Sequence, residues 1–130
     1  MAHYDLDFYK DRHGSTLYAA KTILQLALDQ LTRVDSIVDV GCGVGTWLNA
    51  CREKGIEDTL GLDGPWVPKD LLVIPEEHFL DLDFNAGLVP KIERRYGLAI
   101  CLEVAEHIEP DKAGQFVDFL AALSDRKRTV

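Results

Sequence analysis

An α/β domain built on a parallel sheet is the fold class predicted for this 130-residue chain, on three observations. Short apolar runs alternate with stretches of helical period, the pattern of strand–helix–strand units. The first run, Ile37 to Val40, empties into three alternating glycines. The later runs end on or beside acidic residues at Asp63, Asp81, Asp83 and Glu103. Near-continuous apolar strands imply a sheet covered by helices on both faces and joined by right-handed crossovers.

Each element follows from its residues. In segment 15–32, Leu17, Ala20, Ile23, Leu24, Ala27, Leu28 and Leu31 recur at helical spacing, with Ser15 or Thr16 as N-cap. SIVDV reads as a buried strand, and Thr46 to Lys54 as a helix ended by Gly55. Thr59 to Leu62 is a second strand closing on Asp63. GPWVPKD follows, where Pro65 and Pro68 exclude regular structure. His78 to Leu82 is a third strand, and Asn85 to Arg95 a loop with a short helix broken near Pro90. Leu98 to Leu102 is a fourth strand. Ala113 to Leu123 is a helix expected to turn Phe116, Val117, Leu120 and Leu123 inward, and Lys127 to Val130 begins a fifth strand.

Composition narrows the function classes. An apolar fraction of 47% and the chain length suit one globular domain spanning residues 1–130, and no apolar run reaches the length of a membrane span. A net charge of −8 argues against nucleic acid or an anionic membrane as partner, since both are bound chiefly through Lys and Arg. The N-terminus lacks the apolar core of a signal peptide, so the expected address is cytoplasmic. Cys42, Cys51 and Cys101 show no zinc spacing, so they read as reduced packing thiols and no metal is expected.

In parallel α/β sheets the ligand lies beyond the carboxyl ends of the strands, where strand order reverses. Gly41, Gly43 and Gly45 stand at that end of the first strand, where missing Cβ atoms allow a sharp turn and close approach of main chain to a ligand. Thr46 occupies the place where a dinucleotide fingerprint would carry its last glycine, which weakens the case for a pyrophosphate. Asp63, about twenty residues after the loop, can accept the hydroxyls of a ribose, or is a turn residue before Gly64 and Pro65. Asp83 could accept from an adenine amino group. Asp81, on the same side of an extended strand, is the second choice.

VDVGCGVGTW, GLDG, FLDLDF and LAICLEVAEHI, in that order and spacing, resemble the class I methyltransferases that use S-adenosylmethionine. The resemblance covers most of residues 35–110 and implies a Rossmann-like sheet in the order 3-2-1-4. It implies that Gly41, Cys42, Gly43 and Gly45 lie under the methionine moiety, that Asp63 with Gly64 holds the ribose, and that Asp83 with Phe84, or Asp81, meets the adenine. Cys101 and Leu102 would border the methyl group through backbone atoms. Gly97 stands where many relatives carry Asp. Relatives also continue through three further strands, so the chain reads as truncated after the fourth.

Methyl transfer asks a protein mainly for positioning, and for a base only when the acceptor must lose a proton. His107 is the candidate base, and a turn histidine before Pro110 is the rival reading. Glu103 and Glu106 could orient the cofactor's amino group, or lie on a solvated turn. Trp47 is expected in the core; Trp66 covers the adenine or sits on an exposed loop. Arg12 meeting the methionine carboxylate rests on the resemblance alone. The implied activity is methyl transfer to a small-molecule acceptor. The alternatives are a non-catalytic module binding cofactor or partner, and a nicotinamide-dependent oxidoreductase. An apolar fourth strand left at the sheet edge makes homodimerisation one expected remedy.

Overall fold

The computed structural model describes residues 34–102 and 104–125. The expected helix 15–32, Arg12, Glu103 and the start of a fifth strand at 127–130 lie outside them. Four parallel strands form one sheet: β1 (Ser36–Val40), β2 (Asp58–Asp63), β3 (Phe79–Asp81) and β4 (Leu98–Cys101), in the order β3-β2-β1-β4. Val40 pairs with Leu62 on one side and Cys101 on the other, and Asp63 pairs with Asp81, so the carboxyl ends of all four strands share one rim.

Alternation along the strands feeds two cores. Ile37, Leu98 and Ile100 face α1 (Thr46–Glu53), where Leu48, Ala50 and Cys51 are buried. Val38, Val40, Leu60, Leu62 and Ala99 face α2 (Ala113–Leu123), so helices cover both faces. Gly61 brings α1 close: a Cβ there would lie 2.7 Å from Cys42 Sγ and 3.2 Å from Leu48 Cδ1. On the other face Phe84 stacks edge-on against Phe116, with ring centroids 5.3 Å apart, and Phe119 lies 5.9 Å away.

The elements differ from the sequence reading at four places, the first being a 3₁₀ turn, Lys69–Leu71, that starts directly after Pro68 in a stretch expected to hold no regular structure. Segment 85–95 contains no helix: Asp83 and Leu88 close a turn with two backbone hydrogen bonds, Gly87 adopts φ +79°, and Pro90 cannot donate to a helix. Val117 does not face inward but is 61% exposed. The buried stripe of α2 runs through Phe116, Phe119, Leu120 and Leu123, and Val117 falls beside it. His78 lies in a single 3₁₀ turn, Glu76–His78, and β3 begins only at Phe79. The His78 ring is drawn aside, Nδ1 standing 3.3 Å from both Arg52 Nη1 and Thr59 Oγ1.

Just ahead of β4 the chain is joined by the segment that follows α2. Ser124 forms a parallel bridge with Tyr96, whose N–H donates to the Leu123 carbonyl at 2.7 Å and whose carbonyl accepts from Asp125 N–H at 2.9 Å. Arg95 Nη1 donates to the Ser124 carbonyl at 2.9 Å, satisfying an acceptor just beyond the helix end.

Candidate functional site at the carboxyl rim of the sheet

The glycine loop is held by the neighbouring strand. Gly41 and Cys42 both donate to the Leu62 carbonyl, at 2.7 and 3.2 Å, and Gly41, Gly43 and Gly45 have φ of 88°, 58° and 94°. A side chain would be strained at all three. Two of the glycines also make room for the chain's own side chains. A Cβ on Gly41 would lie 2.2 Å from Val104 Cγ2, and one on Gly45 would lie 2.8 Å from Ile74 Cγ1. The absent Cβ atoms of Gly41 and Gly45 thus admit Val104 and Ile74, a packing role that spacing alone could not separate from ligand approach.

Asp63 closes β2 and grips the loop. Its Oδ2 accepts the Gly43 N–H and its Oδ1 the Gly64 N–H, each at 2.7 Å. Burial raises its pKa, against the opposing pull of those two hydrogen bonds and of Lys69. Asp81, its register partner, is ion-paired to Lys69 at 3.0 Å, and the same ammonium lies 4.2 Å from the Phe79 ring centroid. Asp83 stands in the next turn, its Oδ1 accepting from Ala86 N–H at 3.4 Å. Asp63 and Asp81 are therefore adjacent on the rim, whereas Asp83 begins the turn beyond. Phe84 is turned into the α2 packing.

Cys101 ends β4 half-buried, and the Leu102 carbonyl lies 3.9 Å from the Cβ position of Gly41, so the backbone after β4 passes beside the glycine loop. His107 follows in a 3₁₀ turn, Ala105–His107, with Nε2 3.6 Å from Glu106 Oε1. Trp66 packs on Gly64: a Cβ there would lie 2.1 Å from the indole ring, and the ring also touches the α1-side core, as does Trp47.

Asp39 is the residue that sequence reasoning missed. It is 3% exposed, and its pKa is pushed up to about 7 by burial first and by the Asp63 carboxylate second. Its signal was an acid inside an otherwise apolar strand, where strand period sends it toward α1 with Ile37. Burial, then the charges of Asp39 and Asp63, raise the Cys42 thiol well above its usual value. Burial likewise takes Cys51 to about 12 and Cys101 to about 11. Such thiols stay protonated and act as packing groups. Among the described residues no cluster could hold a metal ion, and no helix is long and apolar enough to cross a membrane.

Comparison with known proteins meets this geometry. Ubiquinone biosynthesis O-methyltransferase, mitochondrial, of Dictyostelium discoideum is 28% identical over 120 residues, covering 80% of this chain and 35% of that protein. A SAM dependent methyltransferase from Archaeoglobus fulgidus matches with TM-score 0.63 at 18% identity, covering 93% of this chain and 54% of that one. Streptomyces venezuelae DesVI matches with TM-score 0.64 at 20% identity, covering 95% of this chain and 56% of that one. These two structures establish the shared fold. The chain spans about a third of the length of the first relative and about half of each solved structure. A sequence model of the methyltransferase domain family matches residues 11–127, and the chain belongs to that family.

Proposed function

We propose that the chain binds S-adenosylmethionine over the carboxyl rim of its sheet and transfers the methyl group to a hydroxyl of a small-molecule acceptor. The observation that carries this reading is the acidity of the rim. Asp63 stands at the glycine loop with buried Asp39 close enough to feel its charge, and Asp81 lies next on the sheet, with Lys69 against them. Such a site repels a pyrophosphate and suits a nucleoside that carries a sulfonium and an ammonium group. The residues fit that ligand. Each Asp63 oxygen accepts one backbone N–H, and a carboxylate offers about four lone-pair sites, leaving capacity for two ribose hydroxyls.

When bound, S-adenosylmethionine supplies a methyl group already activated on sulfur. The chain's part is then to orient and to move a proton: Asp63 fixes the ribose, the backbone at Cys101 and Leu102 borders the methyl, and His107 takes the proton of the acceptor hydroxyl. The O-methyltransferase of Dictyostelium supports a hydroxyl as acceptor. We place this reaction in the cytoplasm, in keeping with three free thiols.

The test is formation of S-adenosylhomocysteine with a panel of phenols and catechols. Turnover is expected with at least one acceptor, and His107→Gln should lower kcat about 10²–10⁴-fold while cofactor affinity holds. Cofactor binding with no turnover on any acceptor would favour a non-catalytic module.

A further inference from the structure

We propose that Asn85 is a positioning residue that couples the nucleoside end of the site to the His107 turn, so that seating the nucleoside fixes His107. This rests on the proposed nucleoside site over the rim, with the adenine end reaching past Asp81 to Asp83, the first residue of the turn beyond. Asn85 sits at the tip of the turn closed by Asp83 and Leu88. Its Nδ2 donates to the His107 carbonyl at 2.7 Å, and its Oδ1 accepts the Glu109 N–H at 3.0 Å. Its own backbone carbonyl accepts from Lys112 Nζ. One residue after β3 thereby holds three points in the segment after β4.

The two side-chain bonds run in opposite senses, so an amide serves where a carboxylate cannot: Asp at this position would set an acceptor against the His107 carbonyl. The turn itself is stiff. Asp83 accepts the Ala86 N–H, and Phe84 packs against both Phe116 and Phe119, which also stack on each other. A ligand contact made at Asp83 is carried two residues along a closed turn to Asn85, and from there to the backbone that bears the imidazole. The route is the backbone of the closed turn from Asp83 to Asn85 and then the two Asn85 side-chain hydrogen bonds, a physically connected set of contacts.

The test is NMR on the full chain titrated with S-adenosylhomocysteine. With four histidines in the sequence, the His107 ring signal is assigned by its loss in His107→Gln. In the unaltered chain the ligand should shift the His107 ring and raise protection of the Glu109 amide. Asn85→Ala and the isosteric Asn85→Asp should keep affinity within about twofold, as for a site without ligand contact, and lose the His107 response. If the unaltered chain does not bind, the nucleoside reading falls and the coupling with it. Binding with an unchanged His107 response in either folded variant overturns the coupling alone. So does a tenfold or greater loss of affinity, or failure of both variants to fold, because Asn85 would then be a ligand contact or a structural clasp.

Discussion

Asp39 is the side chain whose ionisation the fold resists. Its folded pKa of about 7 lies above the ordinary value of 3.8, so its contribution to stability is fully present below about pH 4 and is lost as pH rises through about 7. Asp63 is shifted in the same direction and adds to the same slope. The urea midpoint of the chain is therefore expected to fall between about pH 5 and pH 8, by up to about 3 kcal/mol in unfolding free energy, and less steeply in Asp39→Asn. An Asp39→Asn profile parallel to that of the unaltered chain would contradict this. Glycine offers a second test at the same scale. Gly41→Ala meets both a φ of 88° and the Val104 methyl at 2.2 Å, whereas Gly55→Ala meets a φ of 95° and open space. The first should cost about 2–4 kcal/mol and the second about 1. Val104→Ala should recover part of the Gly41→Ala loss, as expected when two residues compete for one volume. The sequence pattern made Gly41, Gly43, Gly45 and Asp63 legible, because left-handed turns and strand-end acids leave marks in residue type. It did not reveal that Val104 and Ile74 fill the space over two of those glycines, since that contact joins residues far apart in the chain.

At the scale of elements, periodicity located β1, β2, β4, α1 and α2 nearly to the residue, because each carries a continuous apolar run or stripe. Errors gathered where the pattern was short. Segment 85–95 has apolar residues at Leu88, Val89 and Ile92 that imitate a helical turn, yet Gly87 and the proline at position 90 leave it as a tight turn followed by irregular chain. In α2 a Val–Phe pair fits either of two adjacent faces, and the aromatic contacts of Phe84 decide for Phe116. Phe116→Ala should therefore cost about 3–5 kcal/mol and Val117→Ala no more than about 0.5, read from urea midpoints. Equal costs would mean that α2 is rotated from its described setting.

For the whole molecule, the strand order and the two-faced cover of the sheet were legible from alternation and from the family's motif order together. The acidity of the rim was legible only as a list of acids. Which of them share the site depends on register, and the pairing of Asp63 with Asp81 appears only once β2 and β3 are laid side by side. Association of two copies remains a proposal for the open edge of β4 and the adjoining side of α2, where Val117 is exposed. Sedimentation of the unaltered chain should show a dimer that Val117→Lys weakens, and a chain monomeric at high concentration would count against it.

The central claim, a nucleoside site governed by Asp63 on an acidic rim, is tested most directly by calorimetric titration of the full chain with S-adenosylhomocysteine, with NAD in a parallel titration and Asp63→Asn as control. The account predicts saturable binding of S-adenosylhomocysteine at one site, weakened at least about tenfold in Asp63→Asn, and no comparable binding of NAD. A folded chain that ignores S-adenosylhomocysteine, or that binds NAD in preference, would contradict it.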